Sequence, residues 1–261
     1  MRPMPVLAAL LVLCLPSAPA CIKVISPNLP SASHQLVIIG QVNNTTGPYT
    51  VSVTRTVDIA NATNDFPPVS GARVVITDSI ASLADTLSET SPGMYTTHTL
   101  QGIPGHRYGL TVLTGGVTYT AFSVMPQPVS LDSAQLIERP ADPPNVMLYF
   151  QDPATGSSHF YQFTEALNNS PIDAVFVFSD RLSHGRYISE ELINHRLSSM
   201  PGDVFTVSMY CVDSSVYTYL NTLSGASGDG AVGAPANPIT NLSGGALGYF
   251  SAQTVTTRTL Y

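Results

Sequence analysis

The sequence predicts a mainly all-β protein, and three observations carry that prediction. Apolar and polar residues alternate over strand-length runs such as Tyr49-Thr50-Val51-Ser52-Val53-Thr54-Arg55, the period of a strand with one face in a core. Such runs recur at short intervals, separated by turns rich in Gly, Pro and Asn. A helical period is clear only near 214–223. The pattern divides into an immunoglobulin-like β-sandwich over 35–126 and a second β-rich domain with one short helix over 127–261.

In the first domain, 36–42 is a buried-strand run, 43–48 a turn and 49–55 the alternating strand. A polar loop over 58–70, with Pro67-Pro68, leads to a third strand over 71–78. A weak fourth follows at 83–87 and a short fifth at 93–97. Gly105 turns the chain into 108–113, and Gly115-Gly116 marks a tight hairpin to 117–124. Short strands at this even spacing read as an immunoglobulin-type sandwich, without the disulfide and tryptophan of antibody domains. Met125-Pro126-Gln127-Pro128 marks the expected boundary. Beyond it, strands are expected at 130–138, 145–151, 159–166 and 174–179, while 187–197 fits helix or strand. An apolar run over 202–212 precedes the helix. There Asp213 or Ser214 is placed to cap, and Val216, Tyr219, Leu220 and Leu223 share one face. A Gly, Ala and Pro loop over 224–238 leads to a strong last strand at 248–252, followed by 254–260.

Composition narrows function. Charged residues make up 10% of the chain and the net charge is −7, with Lys23 the single lysine and the arginines scattered. No basic stripe exists to neutralise phosphates, so nucleic-acid binding is not expected. Six histidines stand singly at 34, 98, 106, 159, 184 and 195, without the i, i+4 spacing of a helical zinc site. No Gly-x-Ser-x-Gly elbow presents a nucleophile. The expectation is therefore a non-enzyme with no catalytic residue, metal ligand or cofactor. Asp180-Arg181 with Gly185-Arg186 is the most polar local cluster. It reads either as a grip for an anion or as a solvated hairpin tip holding a local ion pair. Glu190-Glu191, adjacent on a strand, would point to opposite faces and read as surface. Cys211, inside an apolar run, reads as a small buried hydrophobe.

The N-terminus reads as an export signal over 1–20. Arg2 supplies positive charge, 6–15 is apolar, and Ala18-Pro19-Ala20 is a small-residue cleavage site. The apolar run is about half the ~20 residues that span a bilayer. Cys21 follows directly, as in bacterial lipoprotein signals, where that cysteine is acylated; here Ala18 replaces the usual leucine. Residues 21–34, with Pro27 and Pro30, then form a lipidated tether.

Several segments together resemble an uncharacterised lipoprotein family of Bacteroidota, a domain of unknown function. They include Cys21-Ile22-Lys23-Val24-Ile25, Ser70-Gly71-Ala72-Arg73-Val74, Pro104-Gly105-His106-Arg107-Tyr108 and Phe178-Ser179-Asp180-Arg181. The most specific is Asn237-Pro238-Ile239-Thr240-Asn241-Leu242, whose asparagines read as turn formers. The resemblance implies an outer-membrane lipoprotein, facing the periplasm or the surface and anchored in the bilayer through acylated Cys21. It also implies an accessory or ligand-capture partner of a TonB-dependent receptor, and carries no catalytic or binding residue over. The alternatives are a stand-alone carbohydrate-binding or adhesive module, which needs an exposed tyrosine row, and a hydrolase assembled from separate strands, which needs a deep cleft holding His and Asp or Glu within bonding reach.

Overall fold

The computed structural model describes residues 34–58, 66–140, 143–156, 158–194, 202–227 and 237–260. The signal (1–20), Cys21 and the tether up to residue 33 lie outside the described residues, as does His195.

The elements run β1 (Leu36–Asn43), β2 (Thr50–Arg55), β3 (Arg73–Asp78), β4 (Leu83–Thr86), β5 (Ser88–Ser91), β6 (Met94–Thr96), β7 (Arg107–Thr114) and β8 (Val117–Val124). They continue as β9 (Leu131–Ile137), β10 (Asn145–Gln151), β11 (Phe160–Leu167), β12 (Ser170–Pro171), β13 (Phe176–Ser179), β14 (Tyr187–Leu192), β15 (Phe205–Val212), α1 (Ser214–Ser227) and β16 (Leu247–Leu260). The fold is mainly β, as the alternating pattern predicts.

Three sheets form among the described residues. The largest has nine strands in the order β12-β11-β15-β16-β1-β2-β6-β5, with β13 also on β11. A four-stranded sheet, β4-β3-β7-β8, faces its β1–β2 end. A three-stranded sheet, β14-β10-β9, faces its β11–β15 end. Inward residues of each pair fill one core. Ile38, Val51 and Tyr95 meet Ile76, Leu110 and Val112 in the first. Phe163, Val207 and Met209 meet Leu131, Leu148 and Phe150 in the second.

The long last strand belongs to both sandwiches. Its first half pairs in parallel with β1, from Val37 opposite Leu247 to Asn43 opposite Gln253. Its second half pairs antiparallel with β15, from Cys211 opposite Thr254 to Phe205 opposite Leu260. The expected boundary at 126–127 thus falls between two cores, but the largest sheet runs through it and all described residues belong to one compact unit. The linker signal is local, whereas the pairing of first and last strands joins residues more than two hundred apart and leaves no local trace. Beyond the linker, the Thr256 hydroxyl donates to the Val129 carbonyl at 2.9 Å and Arg258 Nε to that of Leu131 at 2.8 Å.

Residues 248–254 are buried on both faces because α1 covers the side of the sheet opposite the cores. Val216, Tyr219 and Leu220 of the helix pack on Phe160, Val212 and Tyr249. Asp213 caps the helix: its Oδ1 accepts the amides of Ser215 at 2.9 Å and Val216 at 3.0 Å. Gly248 is required where β1 and β16 first meet. Its φ is +95°, and a Cβ there would lie 2.0 Å from the Ile38 carbonyl oxygen.

Candidate functional site

The registers of four strands bring four distant side chains to one end of the second sandwich. Gln151 pairs with Tyr187, so β10 ends beside the start of β14. Phe160 pairs with Ser179, so β11 starts beside the end of β13. Asp152 therefore follows β10, His159 precedes β11, Asp180 follows β13, and His184 sits in the turn to β14. Backbone bonds tie these ends together. The Asp152 amide donates to the Arg186 carbonyl at 3.0 Å, and the Asp180 amide to that of His159 at 3.2 Å. A 3-10 turn over Asp180–Leu182 returns the chain, with the Ser183 amide donating to the Asp180 carbonyl at 2.7 Å.

Both carboxylates are fully buried, while the two imidazoles are partly exposed. Asp180 Oδ2 lies 2.6 Å from His184 Nδ1 and 2.9 Å from His159 Nδ1. Asp152 stands 3.5 Å from His159 Nδ1 and 3.8 Å from His184 Nδ1. The imidazole rings stack 5.4 Å apart with planes 5° from parallel. An ionised carboxylate only accepts, so both Nδ1 atoms carry protons in this arrangement. Asp152 is held from behind, accepting the Tyr161 hydroxyl at 2.6 Å and the Gly185 amide at 2.7 Å. Burial raises the Tyr161 pKa far above the ordinary phenol, so its hydroxyl stays a donor. Burial also pushes the Asp180 carboxyl up, but donors from His184 and His159 outweigh it and hold it below the ordinary carboxylate value. The His184 imidazole is raised, first by its bond with Asp180.

A cavity of about 560 Å³ opens beside the cluster, where the 126–127 linker crosses the end of the second sandwich. Pro126, Val129, Pro153 and Cys211 form apolar wall, while His159 and Asp213 present polar groups. Ligand pockets typically have this size and this mixture of apolar wall and few polar anchors.

The polar tip at 180–186 is not a solvated ion pair of Asp180 with the neighbouring arginines. Asp180 is buried and faces the two histidines, while the Arg181 guanidinium lies over the Phe160 ring at 5.6 Å. Glu191 binds Arg139, with Arg139 Nη2 donating at 3.0 Å, and Glu190 is half-buried with its pKa raised by burial. Cys211 is buried, its thiol pushed up by that burial. Asn241 replaces a strand neighbour: its side chain donates to the Phe250 carbonyl at 2.8 Å and accepts the Phe250 amide at 3.0 Å. Among the described residues, Tyr187 is the tyrosine found among the exposed large apolar side chains, so no tyrosine row forms there. No described helix is long and apolar enough to cross a membrane.

Comparison with known proteins gives a family match over most of the chain. The model of a domain of unknown function, DUF4249, matches residues 22–259. No curated protein matches the chain. Among solved structures, the chicken CNTN1 FN1–FN3 domains match at 13% identity with a TM-score of 0.26, over 71% of this chain and 61% of that one. This chain thus spans under two thirds of that neighbour. The selenomethionine-substituted chicken interferon gamma receptor alpha chain matches at 9% identity with a TM-score of 0.20, over 69% of this chain and 90% of that one.

Proposed function

The chain belongs to the DUF4249 family of unknown function, and from that premise we propose a non-enzymatic outer-membrane lipoprotein, anchored through acylated Cys21, that captures a ligand beside a TonB-dependent receptor. The observation that carries ligand capture is the cavity of about 560 Å³ at the linker, with apolar walls and polar groups on His159 and Asp213. The anchor is supported by the apolar run 6–15, the small residues Ala18-Pro19-Ala20 and the cysteine that follows them. Two or three acyl chains, at about 0.8 kcal/mol per buried methylene, would hold the protein on a bilayer. The receptor partnership, and the bacterial phylum with it, rests on the family resemblance of the sequence. The carbohydrate-binding alternative draws no support from the described residues, which lack the tyrosine row it needs.

The test is affinity purification of the tagged chain from native outer membranes in mild detergent, beside a Cys21→Ala control. Stoichiometric recovery of a TonB-dependent receptor with the wild type, and its loss with the control, is the expected result. Recovery of the chain alone refutes the partnership.

A further inference from the structure

We infer that Asp152, His159, Asp180 and His184 form a binding site for one divalent first-row transition ion, with Zn²⁺ as its test case. The ion would sit there whether or not the chain partners a receptor.

The donor chemistry comes first. Two imidazole nitrogens and two carboxylate oxygens lie within 4.8 Å of one another. A tetrahedral zinc with ligands at about 2.0–2.1 Å sets its donors about 3.3–3.5 Å apart. Asp180 Oδ2 lies inside that spacing, at 2.6 and 2.9 Å from the two Nδ1 atoms, while Asp152 lies just outside it, with Oδ1 3.5 Å from His159 Nδ1 and Oδ2 3.8 Å from His184 Nδ1. Admitting an ion therefore requires Asp180 to withdraw by under about an ångström and one Asp152 oxygen to turn toward both rings. Neutral imidazole and carboxylate without thiolate suit Zn²⁺ and its divalent neighbours rather than Cu⁺.

The second observation is independent. Asp180 is fully buried and its Oδ1 has no hydrogen-bond partner. Glu165 also leaves one buried oxygen, Oε1, without a partner, but among the described residues it belongs to no cluster of possible metal ligands. The buried carboxylates that do meet a histidine, Asp85 and Asp78, are used more completely. Asp85 Oδ2 accepts three amides, from His98, Thr99 and Leu100, and its Oδ1 meets the His98 ring. Asp78 Oδ1 accepts the amides of Ile80 and Ala81, and its Oδ2 meets His106. Those two are single His–Asp pairs whose carboxylates are satisfied on both oxygens. The cluster instead places two carboxylates, two histidines and one unpartnered buried oxygen together. An unpaired buried acceptor on an ionised group is costly, and a divalent ion bound to that carboxylate offsets the cost by neutralising its charge.

The surrounding shell is already built. Tyr161 and Gly185 fix Asp152, and His184 has a hydrogen bond with the Ala154 backbone. Metal ligands are commonly oriented by such outer partners. On binding, the ion takes the place of the Nδ1 protons. A neutral ring moves its proton to Nε2, and a protonated ring releases one proton to water. Four protein donors fill a tetrahedron, the arrangement of a structural site. The ion would then clip the end of β10, the start of β11 and the β13–β14 turn, joining the two sheets of the second sandwich.

The experiment uses the full chain, purified without a polyhistidine tag, stripped with a chelator and reloaded with Zn²⁺. Metal content after gel filtration is expected to be one zinc per chain. The unfolding midpoint is expected to rise by about 5–10 °C when free zinc is a hundredfold above Kd. The paired His159→Gln and His184→Gln variant should retain no zinc, and His106→Gln should retain it like wild type. Wild type that retains no zinc, or a folded paired variant that retains as much, overturns the inference. Loading wild type with Co²⁺ needs no variant: an intense tetrahedral visible band supports the site, and the weak spectrum of octahedral, hydrated Co²⁺ overturns it.

Discussion

Replacing Asp213 by alanine tests how the helix is fixed to the sheets. Oδ1 caps α1, accepting the Ser215 and Val216 amides and also the Ser215 hydroxyl at 2.6 Å. Oδ2 accepts the hydroxyl of buried Ser123 at 2.5 Å and, at the surface, the Val124 amide at 3.2 Å. Ser123 in turn accepts the Ala252 amide of β16 at 2.8 Å. Loss of the cap costs about 1 kcal/mol. Leaving the Ser123 hydroxyl without its acceptor costs about 1–3 kcal/mol, and the exposed Val124 amide, which water can satisfy, adds little. Asp213→Ala is therefore expected to lose roughly 2–4 kcal/mol. Asp213→Asn keeps a good capping oxygen and should lose about half as much. Urea unfolding followed by circular dichroism measures both, with an unchanged m-value as the check that only stability has moved. A loss below about 0.5 kcal/mol for alanine, or equal losses for alanine and asparagine, would refute the assignment of two separate jobs to the two oxygens.

Gly248→Ala should be among the most damaging single changes, above about 4 kcal/mol, because its Cβ would strike the Ile38 carbonyl at 2.0 Å with φ at +95°; loss of cooperative urea unfolding is the readout. Arg139→Ala should change stability by under about 1 kcal/mol, since its bond to Glu191 is solvent-exposed; the same titration checks it. Asp85 gives a pH dependence. Burial raises its pKa, but the Thr99 and His98 amides, with the His98 ring and Leu100, outweigh that and leave it lowered. A depressed folded pKa stabilises above the unfolded value near 3.9 and is lost as pH falls through the folded value. The stability gap between wild type and Asp85→Asn should be constant from pH 7 to about 5 and close below about 4; a gap that widens in acid would contradict this.

Much of the architecture was legible because strands and caps are local. Apolar alternation located β1 to β4 and β6 to β8 to within a few residues, and the spacing of Val216, Tyr219 and Leu220 located the start of α1, with Asp213 rather than Ser214 as its cap; the helix runs on to Ser227, past the expected end at Leu223 and into the segment read as a loop. β5 was not legible: Ser88–Ser91 is polar and exposed throughout, held by pairing with β6 rather than by burial. The ambiguous 187–197 contains a strand at Tyr187–Leu192 because β10 offers it a register. The two expected strands at 248–252 and 254–260 are one, β16, because the sheet continues from β1 to β15. The His–Asp cluster lay beyond local reading. Its members sit in turns joined by long-range pairing, and the helical zinc spacing is a rule for helices. The one local trace was Asp180 four residues before His184 on a turn, with the neighbouring arginines drawing the eye to ion pairing instead.

The sharing of β16 sets the order in which this chain can be completed. The first core needs Leu242, Ala246, Phe250 and Ala252, and β1 has no parallel partner until residues 247–253 exist. During synthesis, more than a hundred residues of the second half emerge before the first sandwich can close. Completion of that sandwich therefore comes late, at the loop-closure cost of joining the two ends of the chain. A fragment ending at 126 would keep both facing sheets but leave β1 an unpaired edge and the core without Leu242, Ala246, Phe250 and Ala252. Through β16, the stability of the N-terminal half depends on the last residues made.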